Sequence, residues 1–204
     1  AFSGAAAMYS HYTAVFVLCA GFAWALWALP GERRRLLLAT LGSIALYLPW
    51  AGSLIADTSS PTNDLMQSLQ PTGPGATREA LVQWAVGHPL IAPSGLPGDP
   101  VWLTMLAATL VAAGLAIWSH RALLRTPGRW LGDNPLLVLV GLAALATPLG
   151  AGLFSLAGTE LFGSRNLTAS WPFAAIVVAF LVTRSGRWPA IVAGLVLLAG
   201  LAWG

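Results

Sequence analysis

Two short segments of this 204-residue chain carry side chains that could do chemistry. The first, residues 7–14, reads Ala-Met-Tyr-Ser-His-Tyr-Thr-Ala and is called the SHY segment. Its Tyr9, His11 and Tyr12 donate and accept hydrogen bonds, and the imidazole can also move a proton. The second, residues 164–167, reads Ser-Arg-Asn-Leu and is called the SRN segment. Its Arg165 could bind a phosphate through two parallel hydrogen bonds.

A general base for group transfer would have to come from a few scattered acids. The acids in loops outside the cytoplasm, by the topology derived below, are Asp57, Asp64, Glu79, Asp99 and Glu160. Their spacing singles out none of them, so the catalytic residue stays unassigned. Acyl transfer is disfavoured because no histidine and acid form an evident pair at one face.

Motifs for several other chemistries are absent from the sequence. There is no phosphate-binding loop ending in Lys and Ser or Thr, no pair of cysteines and no HExxH. Cys19 lies in an apolar run and is predicted to be a packing residue. His120 falls on the opposite side of the predicted membrane from His11 and His88, which excludes a three-histidine metal site. The sequence requires no cofactor and leaves a divalent metal ion open.

The elements that position these groups are predicted to be membrane helices, because the composition of the chain is that of a membrane protein. Hydrophobic residues make up 57% of the chain and charged residues only 8%, too few to cover a water-soluble globule. Long uncharged runs predict a single all-α transmembrane domain, a polytopic bundle of about six spanning helices. The predicted spans are residues 8–29, 36–56, 100–119, 134–159, 167–183 and 188–204, with Pro49, Pro148 and Pro172 near span ends.

The arginines predict the orientation of these spans. Two of them, Arg78 and Arg165, fall in one set of loops, and eight fall in the alternate short loops, which places those eight in the cytoplasm. The eight are Arg33, Arg34, Arg35, Arg121, Arg125, Arg129, Arg184 and Arg187. The N-terminus, the SHY segment and the SRN segment are therefore predicted outside a bacterial plasma membrane. Because the basic residues sit in such loops, the net charge of +3 does not indicate nucleic-acid binding.

Residues 57–99 form the longest predicted external loop, and one piece of it has helical periodicity. Thr77 is the expected N-cap, and Glu79 suits the positive end of the helix dipole. Apolar and aromatic residues at helical spacing predict a short amphipathic helix near residues 77–88 on the membrane surface. That face comprises Leu81, Trp84, Ala85 and His88, and His88 is expected to be an exposed helix-end residue.

Three segments in order resemble a known family. The SHY segment is similar to a small-residue helix start that contains Ser-His-Tyr. Residues 46–50, Leu-Tyr-Leu-Pro-Trp, are similar to an "LPW" that ends the following span and are called the LPW segment. The SRN segment with Pro172 is similar to an "RYLxPxxP" that opens a late span, except that Asn166 replaces Tyr and one proline follows. Together they resemble GT-C-type integral membrane glycosyltransferases of the cell envelope, especially glycosyltransferase family 39-like members.

The resemblance implies transfer of a sugar from a polyprenyl-phosphate donor at the outer face of the membrane. It implies that Arg165 binds the donor phosphate and that Tyr9, His11 and Tyr12 line the cavity. It also implies that this chain is the C-terminal part of a longer enzyme, with the catalytic acid upstream, so the chain alone is expected to be inactive. The transferred sugar and its acceptor stay open. The alternative is a non-enzymatic polytopic protein, such as a lipid or solute carrier subunit or a scaffold.

Overall fold

The computed structural model of the protein describes residues 1–58, 74–86, 99–119, 121, 127–156 and 164–203. Every regular element in these ranges is a helix, so the predicted all-α class is confirmed. The α-helices are α1 (Phe2–Ser10), α2 (Ala14–Ala28), α3 (Arg33–Thr58), α4 (Pro74–Val86), α5 (Asp99–Ser119), α6 (Pro127–Asp133), α7 (Pro135–Leu156), α8 (Ser164–Leu167), α9 (Trp171–Arg184) and α10 (Arg187–Trp203). Short 3-10 turns cover Pro30–Glu32 and Thr168–Ser170.

Three helices are long and apolar enough to cross a membrane, namely those spanning Pro30–Ser53, Pro100–Ser119 and Pro135–Leu156. Three further apolar helices have 10–17 residues: Ala14–Ala28, Thr168–Arg184 and Arg187–Ala202. A straight span needs about 20 residues. The structure therefore supports three of the expected six spanning helices and does not confirm the others. Each of the other three predicted spans overlaps a shorter apolar helix.

The first predicted span, residues 8–29, is not one helix. Helix α1 ends at Ser10, His11 has an extended backbone (φ −161°, ψ 118°), and α2 begins at Ala14. Helix α1 turns away to pack against α3, where the Ser43 hydroxyl donates to the Ala1 carbonyl at 2.8 Å. The break costs few backbone hydrogen bonds, because the His11 N–H still reaches Ala7 O and its carbonyl accepts from the Ala14 N–H.

Besides the pair α1 and α3, the bundle contains two groups of helices, which α9 connects. In one group α2 packs along α7, whose buried residues are small: Ala143, Ala144, Thr147, Gly150 and Ala151. The Trp24 indole fixes one end of this pair by donating to Pro135 O at 2.6 Å. In the other group α5, α9 and α10 meet around Ala112, Val182 and Ala193. Helix α9 contacts both α7 and α5 and so connects the two groups.

Two of the three prolines lie deeper in their helices than expected. Pro49 is inside α3 and Pro148 is inside α7, and both helices continue for about two turns beyond them. Pro172 is at the start of α9, where its missing N–H costs nothing. Inside a membrane helix, neighbouring helices can compensate for a proline. Pro148 follows buried Thr147, in the part of α7 that packs against α2.

Candidate functional site

The SHY and SRN segments meet in the structure. The Tyr12 hydroxyl donates to Asn166 Oδ1 at 3.4 Å, across 154 positions of sequence. The His11 ring lies beside the Tyr12 ring with 5.3 Å between centroids. Because Asn166 adjoins Arg165 in α8, this contact brings the backbone of Arg165 next to two of the predicted cavity residues. The side chain of Arg165 lies outside the described residues.

Tyr9 belongs to the SHY segment but does not join this group. Its hydroxyl donates to Leu46 O at 3.0 Å. Its ring packs edge-on against Tyr47 and Trp50, with centroid distances of 5.3 and 5.9 Å. The break at His11 thus sends Tyr9 toward the LPW segment on α3 and Tyr12 toward the SRN segment. The SHY segment contacts both of the other two segments.

A chain of buried hydroxyls holds the SRN segment in place. The Ser170 hydroxyl donates to Leu167 O at 3.2 Å, and the Thr147 hydroxyl of α7 reaches the same carbonyl at 3.3 Å. Thr147 and Ser170 also contact each other through their hydroxyls. Buried polar groups in an apolar surrounding must be paired, and these pairs fix the carbonyl end of α8. The backbone of Arg165 and Asn166 is therefore anchored to α7.

Helix α4, which lies in the predicted external loop, extends this network. It begins at Pro74, so Thr77 lies inside the helix and is not its N-cap. It packs against α8, α9 and α5, and the Trp84 indole donates to Ser170 Oγ at 2.9 Å. Ala80 is buried against Leu167, whereas Leu81 is 37% exposed. Helix α4 is thus docked on other helices through Ala80 and Trp84, while Leu81 lies on its exposed side.

Arg78, the other arginine that is predicted to be external, is on the same helix. The Arg78 guanidinium lies 5.0 Å from the Trp102 ring of α5, in a cation–π arrangement. This contact adds to the docking of α4, because it links the helix to α5 on a side away from Trp84.

The structure describes the side chain of only one of the five candidate acids. Glu79 is exposed on α4, whereas Asp64, Glu160 and the side chains of Asp57 and Asp99 lie outside the described residues, as do His88 and His120. Within the described part of the chain, no three His, Cys, Asp or Glu side chains are placed to hold a metal ion.

Sequence reasoning missed the residues that support the site. These are Thr13, Thr147 and Ser170. Trp84 was predicted on the apolar face of its helix, but its bond to Ser170 was not. Thr13 and Thr147 are each 1% exposed and Ser170 is fully buried. The available signal was a hydroxyl residue beside a proline or a helix start in an otherwise apolar run, as in Thr147-Pro148 and Ser170-Trp171-Pro172.

The described side chains around the SHY and SRN segments are hydrogen-bonding groups at the meeting point of three helices, α2, α7 and α8. Such a group can recognise a polar or anionic head group beside apolar helix surfaces. Comparison with known proteins adds no family to this description: no family model, no curated protein and no solved structure matches the chain.

Proposed function

We propose that this chain belongs to a membrane glycosyltransferase that takes a sugar from a polyprenyl-phosphate donor at the outer face of a bacterial plasma membrane. The observation that carries the proposal is the contact of the SHY segment with both other segments. Tyr9 bonds to Leu46 O and Tyr12 bonds to Asn166. The three segments resemble one family and are far apart in sequence, yet the SHY segment joins the other two in the fold.

In the proposed reaction an acceptor hydroxyl attacks the anomeric carbon of the sugar. The C–O bond to the lipid phosphate breaks, and the phosphate leaves with the bonding electrons, so the anomeric configuration inverts. An upstream carboxylate takes the hydroxyl proton. Within this chain, Arg165 binds the phosphate and stabilises its growing negative charge. His11 and Tyr12 line the same cavity, while Tyr9 supports its edge against the LPW segment.

We also propose six spanning helices with the N-terminus outside. Three of them are short, so they cross the membrane with little tilt. The short helices Ala14–Ala28, Thr168–Arg184 and Arg187–Ala202 can span if the bilayer thins or if flanking residues extend to the interface. Arg184 and Arg187, at the junction of α9 and α10, are suited to the cytoplasmic side, where positive charge is retained.

Cysteine labelling tests this orientation. In a Cys19→Ala background, a thiol from Glu79→Cys on α4 should react with an impermeant maleimide added outside intact cells. A thiol from Ser119→Cys at the end of α5 should react only after the membrane is permeabilised. Both positions are exposed, so access depends on the side of the membrane. Protection of position 79 together with labelling of position 119 would reverse the topology and contradict an external site.

Photocrosslinking tests the donor. The probe is a polyprenyl phosphate with a diazirine near the phosphate, added to the protein in lipid nanodiscs. We expect crosslinks to peptides that contain the SHY and SRN segments, and we expect unmodified polyprenyl phosphate to compete them away. Helix α10 serves as the internal control, since among the described helices it packs mainly against α5 and α9, and it should carry no competed crosslink. If neither segment is crosslinked competitively, the non-enzymatic alternative replaces the proposal.

A further inference from the structure

Helix α3 begins with three exposed arginines, and the structure engages them in different ways. Arg33 Nε donates to Leu26 O at 3.2 Å. Arg35 Nη1 donates to both carboxylate oxygens of Glu32, at 2.9 and 3.2 Å. Arg34 forms no hydrogen bond or ion pair with any residue that the structure describes. The Arg34 guanidinium is therefore available to a ligand, while Arg35 offsets the charge of the neighbouring acid.

Arg34 lies at the head of an exposed apolar stripe on α3. The residues three, four and seven positions after it are leucines, and this spacing places them on the same face of the helix. Two more apolar residues continue the face, and every member is at least half exposed. The α3 stripe consists of Leu37, Leu38, Leu41, Ile44 and Leu48.

The contacts of α3 with α1 lie on the opposite side of the helix. Ser43 donates to Ala1 O, and the Tyr47 ring packs against Tyr9. Ser43 and Tyr47 come nine and thirteen positions after Arg34, which puts them across the helix from the α3 stripe. The helix is long and apolar enough to cross a membrane, and its apolar window is 0% buried. In a bilayer the α3 stripe therefore faces acyl chains.

The arginines at the start of α3 are suited to the depth of the lipid phosphates. The bond from Arg33 to Leu26 O holds them beside the end of α2, where Trp27 is 48% exposed. Tryptophan concentrates at the level of the head groups. An arginine in the first turn of a helix extends back past the helix start, out of the hydrocarbon. Arg34 and the α3 stripe can therefore contact the head group and an acyl chain of the same lipid.

We propose that the start of α3 binds an anionic phospholipid, with Arg34 on the phosphate and the α3 stripe along an acyl chain. A guanidinium can donate two parallel hydrogen bonds to a phosphate, and basic residues at the end of a membrane helix attract anionic lipids. Because Arg35 offsets Glu32, the charges of Arg33 and Arg34 remain and favour an anionic over a zwitterionic head group. The inference needs only that α3 lies in the membrane and does not rest on the proposed sugar transfer.

Photolabelling of the protein in nanodiscs tests this site. The probe is phosphatidylglycerol with a diazirine in one acyl chain, and phosphatidylcholine with the same chains is the reference. We expect the phosphatidylglycerol probe to label the α3 stripe several times more than the reference does. Unlabelled phosphatidylglycerol should compete, whereas inorganic phosphate at matched ionic strength should not, because it has no acyl chain. Equal labelling by both probes, or competition by inorganic phosphate, would overturn the proposal.

Single substitutions locate the lipid phosphate. Arg34→Gln should lower labelling of the α3 stripe by phosphatidylglycerol about three- to tenfold, the effect of one basic residue at a membrane surface. Arg34→Lys should keep part of the labelling, and Glu32→Gln should raise it by removing an acid beside the phosphate. Arg187→Gln is the matched control, because it removes an exposed arginine at the start of α10 and should leave the α3 stripe labelled as before. Equal losses in Arg34→Gln and Arg187→Gln would show attraction by net charge alone and refute a site at α3.

Discussion

Replacing Arg165 by alanine should lower sugar transfer by the complete enzyme about 10- to 100-fold. A charge-assisted hydrogen bond contributes about 1.5 to 3 kcal/mol, and each 1.4 kcal/mol changes a rate about tenfold. Arg165→Lys should recover part of the activity, because an ammonium keeps the charge but cannot form the two parallel bonds of a guanidinium. Initial rates with saturating acceptor, at several concentrations of polyprenyl-phosphate sugar, measure the effect.

The size of this effect depends on how firmly the protein holds the backbone of Arg165. The residue after it, Asn166, accepts from Tyr12, and the carbonyl of Leu167 accepts from Ser170 and Thr147. A guanidinium on an anchored backbone loses less conformational freedom on binding than one on a loose loop. We therefore expect a change in donor affinity as well as in turnover.

Two variants control for simple loss of charge. Arg78→Ala removes the other predicted external arginine, whose guanidinium stacks on Trp102, and should reduce transfer much less. Glu160→Ala removes the acid closest in sequence to Arg165 and tests the competing explanation, an ion pair at the aqueous surface worth roughly 0 to 1 kcal/mol. If Arg165→Ala folds normally and keeps donor affinity and turnover, Arg165 is an interfacial anchor and does not bind phosphate.

The positions of the apolar helices could be predicted from the sequence, because hydropathy is a local property. Each of the six uncharged runs overlaps one apolar helix of the described structure. The break at His11 could not be predicted in this way. No proline or glycine marks it, and α1 leaves the line of α2 because Ser43 and Leu46 on α3 offer partners to Ala1 and Tyr9. Those partners are more than 35 residues away.

The sequence could suggest candidate residues for the site but not how they are arranged. The sequence pointed to Tyr9, His11 and Tyr12 as one group, and the structure divides them between the LPW and SRN segments. The supporting hydroxyls of Thr147 and Ser170 look like ordinary polar residues in apolar runs until the fold places them together. Likewise, the sequence predicted that the apolar stripe of α4 lies on the membrane surface. The packing of Ala80 near Leu167 and the bond from Trp84 to Ser170 depend on neighbours that periodicity does not identify.

Gly150→Ala should lower the free energy of unfolding by about 1 to 3 kcal/mol, the usual cost of overpacking. A methyl group at this position would overlap the ring of Phe16, which lies directly on the Gly150 backbone where α2 packs on α7. The ring cannot move aside easily because it also packs edge-on against Phe154 at 5.7 Å. Unfolding in mixed micelles with increasing denaturing detergent measures the change.

The same helix supplies the matched control, since a methyl group at Gly141 would meet no atom of the described residues within 4 Å. Gly141→Ala should be neutral or stabilise the protein by up to about 1 kcal/mol through helix propensity. Shrinking the ring with Phe16→Leu should remove most of the cost of Gly150→Ala, and equal costs in both backgrounds would show that the contact is not the cause. The contact also matters for the site, because α2 begins at the SHY segment and α7 carries Thr147, which anchors the SRN segment. Forcing α2 away from α7 should therefore lengthen the 3.4 Å contact between Tyr12 and Asn166 and weaken donor binding in Gly150→Ala, while Gly141→Ala leaves it unchanged.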